Sequence, residues 1–237
     1  MNAFTRDLPR FASPASAMKK VAESTVGRLS VYLRVLVEFE ESGGATISSE
    51  ELASRAGTTA AQVRKDLSFF GTFGKRGLGY AVPELVEELR SILGLGRSWR
   101  VALVGAGKIG QALYGYQDFR RQGFYIEAVF DADPAKIGQR WDGVEVFSEQ
   151  VLERELEDRS IDIVILAVPA SAAQGLVDRV VRAGVRGILN FAPVRLRVPS
   201  GVALKNVNMA VEMEGLSYAL ANGGRRRRGS PSAPGRG

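Results

Sequence analysis

Among its 237 residues the chain has no cysteine and no histidine. The first absence excludes disulfides, thiolate metal sites and thiol redox sensing, and it suits a cytoplasmic protein. The second removes the side chain on which most proton-transfer sites and most transition-metal sites rely. No metal is therefore expected, and any redox role has to pass through a bound cofactor. Long apolar runs are missing as well, since nothing approaches the about 18 uninterrupted residues of a membrane span. The most apolar stretch, 163–173, carries Pro169 and reads as a buried strand running into a helix. Near the N-terminus Arg6, Asp7, Pro9 and Arg10 interrupt any signal-peptide core.

What is present is 45% hydrophobic residues, ordinary for a protein that buries real cores, and a net charge of +6. That charge sits at the ends. Arg225, Arg226, Arg227, Arg228 and Arg236 supply five positive charges and residues 1–20 a net three, which leaves the body at −2. DNA binding therefore has to be argued from local clustering.

Residues 1–20 and 222–237 lack sustained periodicity and read as disordered extensions, the second one rich in arginine. Between them, Val26, Leu29, Leu33, Leu36 and Val37 recur at helical spacing, giving an amphipathic helix from 24 to about 41 that Gly43 and Gly44 end. Ser48 with Glu51 is a capping-box pattern and opens a short helix closed by Gly57. Thr59 with Gln62 repeats the pattern and opens a third helix, to about Phe70. Gly71, Gly74, Gly77 and Gly79 then punctuate a short hairpin with Lys75 and Arg76 near its tip. This is the element order of a winged helix-turn-helix, spanning 21–82.

A helical connector is expected over 83–98. Beyond it, strand-like runs at 100–104, 125–130, 144–147, 161–168 and 187–191 alternate with helical stretches at about 108–121, 148–157 and 170–183. Such alternation predicts an α/β fold, a Rossmann-like, doubly wound, mainly parallel sheet over 99–207. A short strand near 202–207 closes it, and a last helix over 208–221 carries Met213, Leu216 and Leu220 on one face.

On the third helix Val63, Leu67 and Phe70 fall on one face and should pack inward. Ala61, Lys65 and Ser68 lie opposite, with Arg64 beside them. Arg64 and Lys65 suit guanine edges and phosphates, Ser68 adds a hydroxyl, and Thr59 and Gln62 at the helix N-terminus suit phosphate or base contacts. Residues 62–80 hold four cations against Asp66 alone, while Glu38, Glu40 and Glu41 load the far end of the first helix. The plain alternative is a small helical domain whose Arg64, Lys65, Lys75 and Arg76 are merely solvated. The glycine-flanked hairpin favours DNA, because glycines let backbone approach a minor groove that Arg76 can enter.

Val101 to Val104 is an apolar strand, and Gly105-Ala106-Gly107-Lys108-Ile109-Gly110 follows it directly, opening a helix. Alone this spacing is a weak signal. Here it is joined by Asp131 at the end of the second strand, an acid placed to accept hydrogen bonds from the adenosine ribose and to repel the 2′-phosphate of NADP. Lys136 completes that corner of the candidate site. Ala167-Val168-Pro169 and Asn190-Phe191-Ala192-Pro193 end the fourth and fifth strands at the edge where ligands bind in such folds, the second neighbouring the nicotinamide. NAD is the preferred ligand over coenzyme A or a purely structural glycine turn.

A dehydrogenase needs a group that moves a proton as the hydride moves. There is no histidine and no Tyr-x-x-x-Lys pair, since Tyr114, Tyr116 and Tyr125 are followed four residues on by Asp118, Arg120 and Val129. A DNA-binding module stands where a substrate domain would, so the chain reads as a sensor and not an enzyme. An NAD-dependent oxidoreductase stays open as the alternative.

From about Val21 to Leu220 the sequence resembles the Rex family of bacterial redox-sensing repressors. The likeness rests on Gln62-Val-Arg-Lys-Asp-Leu-Ser-Phe-Phe-Gly71, Gly74-Lys-Arg-Gly-Leu-Gly-Tyr80, the Gly105–Gly110 turn, Phe130-Asp-x-Asp-Pro134 and Leu189-Asn-Phe-Ala-Pro193. It implies a homodimer with swapped last helices, bound to a pseudopalindromic operator and released when NADH binds, NAD+ favouring repression. By position, Arg64 and Lys65 would contact DNA from the recognition helix and Arg76 from the wing. Arg34 and Tyr116 would belong to the switch, which the family completes with an acid from the partner's C-terminal segment. Asn208 stands at that position here, where an amide still hydrogen-bonds but forms no ion pair. Ala22 replaces a proline at the start of the first helix.

Overall fold

Helix α1 (Glu23–Glu41) buries Leu29, Tyr32, Leu33 and Leu36, one stripe at helical spacing. The computed structural model to which it belongs describes residues 21–74 and 77–223. Lys75 and Arg76, residues 1–20 and the arginines of the tail, all singled out in the sequence, lie outside the described residues. The chain divides between Gly96 and Arg97 into two compact units.

In the first unit α1 is followed by strand β1 (Thr46–Ile47) and helix α2 (Ser49–Ala56). The Ser48 hydroxyl accepts from the Glu51 N–H at 3.1 Å and Gly57 closes the helix at φ +67°. Helix α3 (Ala60–Ser68) opens on Thr59, whose hydroxyl accepts from the Gln62 N–H at 3.2 Å. Ser48 and Thr59 therefore cap their helices as read, whereas the Glu51 and Gln62 side chains turn to Arg55 and Asp66 instead of closing a capping box, and α3 stops two residues short of Phe70. Strand β2 (Tyr80–Ala81) returns antiparallel to β1. A Cβ on Gly79 would lie 2.4 Å from the Ile47 carbonyl oxygen, so only glycine lets the chain entering β2 pass so close to β1. Among the described residues of the expected 71–80 hairpin, β2 is the only strand, and it pairs with β1.

Helix α4 (Val82–Ile92) corrects the expected connector. Its Val82, Leu85, Val86 and Leu89 are buried in the same core as Leu29, Leu36, Leu52, Val63 and Leu67. An apolar stripe of that width has to be covered, and α1 covers it. The stretch is an integral core helix of the first unit.

The second unit begins with β3 (Trp99–Val104), α5 (Lys108–Tyr114), α6 (Gln117–Arg121) and β4 (Phe124–Asp131). It continues through β5 (Arg140–Trp141), β6 (Val144–Ser148), α7 (Leu152–Asp158), β7 (Ile163–Leu166) and α8 (Ala170–Arg182). Strands β8 (Gly187–Asn190) and β9 (Ala203–Asn206) and helix α9 (Met209–Gly223) complete it. The sheet runs β5-β6-β4-β3-β7-β8-β9, with every pairing parallel except β5 to β6. Six parallel strands thus wind outward in both directions from β3, the Rossmann-like order, with the switch point between β3 and β7. Along β3 the faces alternate as a buried strand requires. Ala102 and Val104 pack with α7 and α8, whereas Val101 and Leu103 pack with Leu113, Tyr114 and Phe119.

Three local expectations change. The helix read as 108–121 is two helices, because Gly115 caps α5 and Tyr116 takes extended backbone at ψ 99°. The strand read as 161–168 shortens to 163–166, since Ala167–Pro169 turn away to start α8. The two-residue strand β5, too short for any periodicity, was not anticipated. No helix among the described residues is long and apolar enough to cross a membrane.

Candidate DNA-reading face and dinucleotide turn

Helix α3 buries Val63 and Leu67, as its pattern requires, with Phe70 half-buried just beyond its end, and exposes Ala61, Arg64, Lys65 and Ser68. The cations on that face are not equally free. One Arg64 nitrogen donates to the Ser49 hydroxyl at 2.7 Å and to a Glu50 carboxylate oxygen at 2.9 Å. Glu50 is held below its usual value by hydrogen bonding to its own backbone N–H and to Arg64. Lys65 carries no ion pair among the described residues, and the Ser68 hydroxyl donates back to the Lys65 carbonyl at 2.7 Å.

Gln62 does not present its amide outward as the sequence reading expects. Its Nε2 donates to Asp66 Oδ1 at 2.8 Å. Asp66 is fully buried and also accepts from Arg28 Nε at 2.6 Å, from Arg28 Nη2 at 2.7 Å and from the Tyr32 hydroxyl at 2.9 Å. Burial pushes its carboxyl up, but the bonds from Arg28, Gln62 and Tyr32 outweigh it and hold the pKa below the usual range. The charge count cast Asp66 as a stray acid on a basic helix. A usable signal was there, because position 66 lies three residues after Val63 and next to Leu67, on the inward face.

In the second unit the three glycines of the turn have three different surroundings. Gly105 has φ +103°, and a Cβ on it would sit 2.3 Å from the Ala167 carbonyl oxygen, so the ends of β3 and β7 touch there. A Cβ on Gly110 would lie 1.9 Å from the Gly105 carbonyl oxygen, which fixes how closely α5 approaches the strand. Around Gly107 a Cβ would meet nothing within 4 Å. Tight turn, open approach and close helix packing are the division of labour a pyrophosphate cradle needs.

Asp131 does more than wait for a ribose. Its Oδ2 accepts from the Ala106 N–H at 2.7 Å and from Lys136 Nζ at 3.1 Å, and its Oδ1 accepts from the Asp133 N–H at 2.8 Å. A carboxylate has about four acceptor positions, so one on Oδ1 stays open for a ligand hydroxyl. Burial raises its pKa, and the Asp133 N–H, Lys136 and the Ala106 N–H together bring it below the usual value. Beside it Ser148 pairs with Asp131 in register, and the next residue, Glu149, is pushed up by burial and then by the charge of Asp131, against Arg179. Sequence reasoning missed Glu149.

The ends of β7 and β8 are more structural than expected. Val168 and Ala192 are core residues, and Asn190 is 1% exposed. The Asn190 amide donates to the carbonyls of Ala192 and Val194 and to Asn206 Oδ1, while its own oxygen accepts from the Ala192 N–H. Both donor hydrogens of that side chain are engaged in holding the 191–194 loop and Asn206, a structural duty that the sequence reading did not expect. Half-buried Phe191 and Ala167 and exposed Pro169, Lys108 and Ile109 still rim the sheet edge.

The three expected switch residues each have local surroundings. Arg34 is exposed on α1 with no ion pair among the described residues. Tyr116 is 48% exposed, its hydroxyl donates to Asp118 Oδ2 at 3.1 Å, and its ring packs edge-on to Phe119. Asn208 accepts from the Ala210 N–H at 3.0 Å, at the start of α9. Along α9 itself Met209, Val211, Met213, Leu216, Tyr218 and Leu220 are all exposed.

Residues 97–194 match a family model described as "CoA binding domain", and residues 20–68 match one described as "Putative DNA-binding protein N-terminus". The redox-sensing transcriptional repressor Rex of Carboxydothermus hydrogenoformans is 47% identical over 201 residues, covering 85% of this chain and 97% of its own length. The Rex of Streptomyces coelicolor is 43% identical over 205 residues, covering 86% of this chain and 80% of its own. The crystal structure of RSP in complex with β-NAD+ and operator DNA superposes with a TM-score of 0.83 at 38% identity, over 88% of this chain and 96% of that one. RSP in complex with β-NADH gives 0.81 at 37% identity, over 89% and 99%.

Proposed function

Since the chain belongs to the Rex family of redox-sensing transcriptional repressors, we propose that NADH bound at the Gly105 turn releases its first unit from operator DNA. The chain is a regulator and not an enzyme, and the dinucleotide is its signal. The observation that carries this reading is the turn itself, with Gly107 open to an incoming pyrophosphate and Asp131 already bonded to Ala106 beneath it. Lys65, Arg64 and Ser68 on α3 contact DNA, with Thr59 at its N-terminus and Lys75 and Arg76 supplied from the wing.

The working form is a homodimer. Helix α9 is apolar nearly all round, with Glu212 and Glu214 as its charged residues, and helices of that kind are normally buried. In a single chain α9 is exposed, so a second copy is the proposed cover, by exchange of the two last helices. Two copies match a pseudopalindromic operator, whose half-sites lie about 34 Å apart. Arg34, Tyr116 and Asn208 join the two states as hydrogen-bonding groups, with no ion pair at Asn208.

For release to occur, NADH has to bind the DNA-incompetent dimer better than the competent one, because equal affinity shifts nothing. A coupling of about 1–3 kcal/mol is typical of such linkage. Neutral dihydronicotinamide suits an apolar pocket better than the charged ring of NAD+, and closure around it would draw the two recognition helices off their spacing. Removing residues 209–237 tests the dimer. Monomers in sedimentation with no operator binding support it, and an undiminished dimer contradicts it. Purified chain turning over NADH with a small carbonyl would revive the oxidoreductase, and coenzyme A competing with NADH for one site would broaden the ligand.

A further inference from the structure

Asp66 sits at 0% exposure on the helix assigned to DNA, and three of its four bonds come from α1. Arg28 grips both carboxylate oxygens with a two-pronged fork and uses Nη2 to hold the Thr25 hydroxyl at 3.1 Å as well. Tyr32, buried beside it, has its phenol pushed up to about 12 by burial and by the bond to Asp66, so it remains a donor at neutral pH. The fourth donor, Gln62, belongs to α3 itself, one turn earlier. All of the about four acceptor positions of the carboxylate are filled.

Such a network is a poor way to gain stability. Well-packed apolar residues in place of a buried ion pair are often neutral or stabilising. What the network supplies is a unique geometry. The apolar face of α3, Val63 and Leu67, resists separation from the core but tolerates small rotations. A carboxylate held by a planar fork and a phenol does not. Residues 65 and 66 are about 100° apart around the helix, so whatever fixes Asp66 also fixes Lys65.

We propose that Asp66 is a positioning residue for DNA reading: by gripping Arg28 and Tyr32 of α1 it sets the rotation of α3 about its own axis. That rotation decides where Lys65 and its exposed neighbours point. Recognition groups need to be held within about 0.5 Å and 10–20° of their working geometry. The inference rests on the DNA-binding reading above.

The test uses the full chain and a duplex that the wild-type chain selects from a randomised pool, with an unrelated duplex of equal length as control. Tyr32→Phe removes one donor and almost no volume. The pair Arg28→Met with Asp66→Leu replaces the ions by apolar side chains. The apolar pair is expected to melt near the wild-type temperature and Tyr32→Phe somewhat below it, with both folded at the assay temperature and binding NADH unchanged. Tyr32→Phe should lower the preference for the selected duplex about threefold and the apolar pair at least about tenfold, with phosphate-driven binding to the unrelated duplex retained. An apolar pair that melts normally and keeps the full preference overturns the proposal. Should that pair fail to fold, Tyr32→Phe decides, and an unchanged preference overturns it equally. A wild-type chain that selects no duplex refutes the repressor reading itself, and this proposal with it.

Discussion

Asp131 Oδ2 accepts a hydrogen bond from the backbone N–H of Ala106 at 2.7 Å, across 25 residues of chain. The carboxylate expected to meet the ribose is thus also a clasp that sets the shape of the glycine turn. The proposed ligand recognition and the turn geometry would share one side chain, and Lys136 at 3.1 Å neutralises part of its charge.

Replacing Asp131 by Ala should therefore cost NADH binding twice, through the lost ribose acceptor and through a loosened turn. A charge-assisted hydrogen bond contributes about 1.5–3 kcal/mol, so a loss of at least about tenfold in NADH affinity is expected. Operator affinity without dinucleotide should hold. Fluorescence titration of NADH and a gel shift on the same preparation separate the two, and matched losses in both would argue against independent units.

The glycines predict a contrast. Gly107→Ala places its methyl in open space, so the melting temperature should stay near wild type while NADH affinity falls. Gly110→Ala drives a methyl onto the Gly105 carbonyl and should destabilise the second unit by about 1–3 kcal/mol. Thermal unfolding beside NADH titration reads both, and equal melting temperatures would contradict the packing argument.

Glu50 meets Arg64 at 2.9 Å, so under the proposed function it would compete with DNA for that guanidinium. The pair is exposed and so contributes little to stability. Glu50→Gln should leave unfolding unchanged and tighten operator binding about two- to fivefold, because it frees the guanidinium and removes a charge that repels phosphate. Arg64→Ala should weaken it by about 1–3 kcal/mol with NADH affinity intact. Weaker binding by Glu50→Gln would mean that the ion pair aims Arg64 at DNA.

Asp66 and Tyr32 set a pH window for the first unit. The folded pKa of Asp66 lies below that of an unfolded aspartate, so its contribution is complete above about pH 4 and is lost as pH falls through the lowered value. Tyr32 is raised to about 12, so its contribution is complete below about pH 10 and is lost as pH rises toward 12. Urea midpoints should be flat between those limits. Asp66→Asn should remove part of the acid-side fall, and an identical acid profile in that variant would contradict the assignment.

Much of this was legible in the sequence because local chemistry decides it. Ser48, Thr59 and Gly57 mark helix ends through bonds that span four residues or fewer, and the Gly105 turn announces itself by spacing. Less legible was whatever depends on a distant partner. The structural duty of Asn190 depends on Asn206 and on the 191–194 loop, which its buried amide holds. Gln62 looked like a base reader until Asp66 claimed it. Residues 83–98 looked like a connector because an apolar stripe does not say which core will cover it.

The most direct test of the central claim is operator affinity at one fixed salt concentration, measured while the ratio of NADH to NAD+ is varied at constant total dinucleotide. Salt is held because phosphate contacts alone can move such affinities by orders of magnitude. The account predicts tight binding when NAD+ dominates and loss of binding as NADH replaces it, by about five- to 150-fold for a coupling of 1–3 kcal/mol. An affinity that does not move with the ratio, or that falls equally with either dinucleotide, would contradict it.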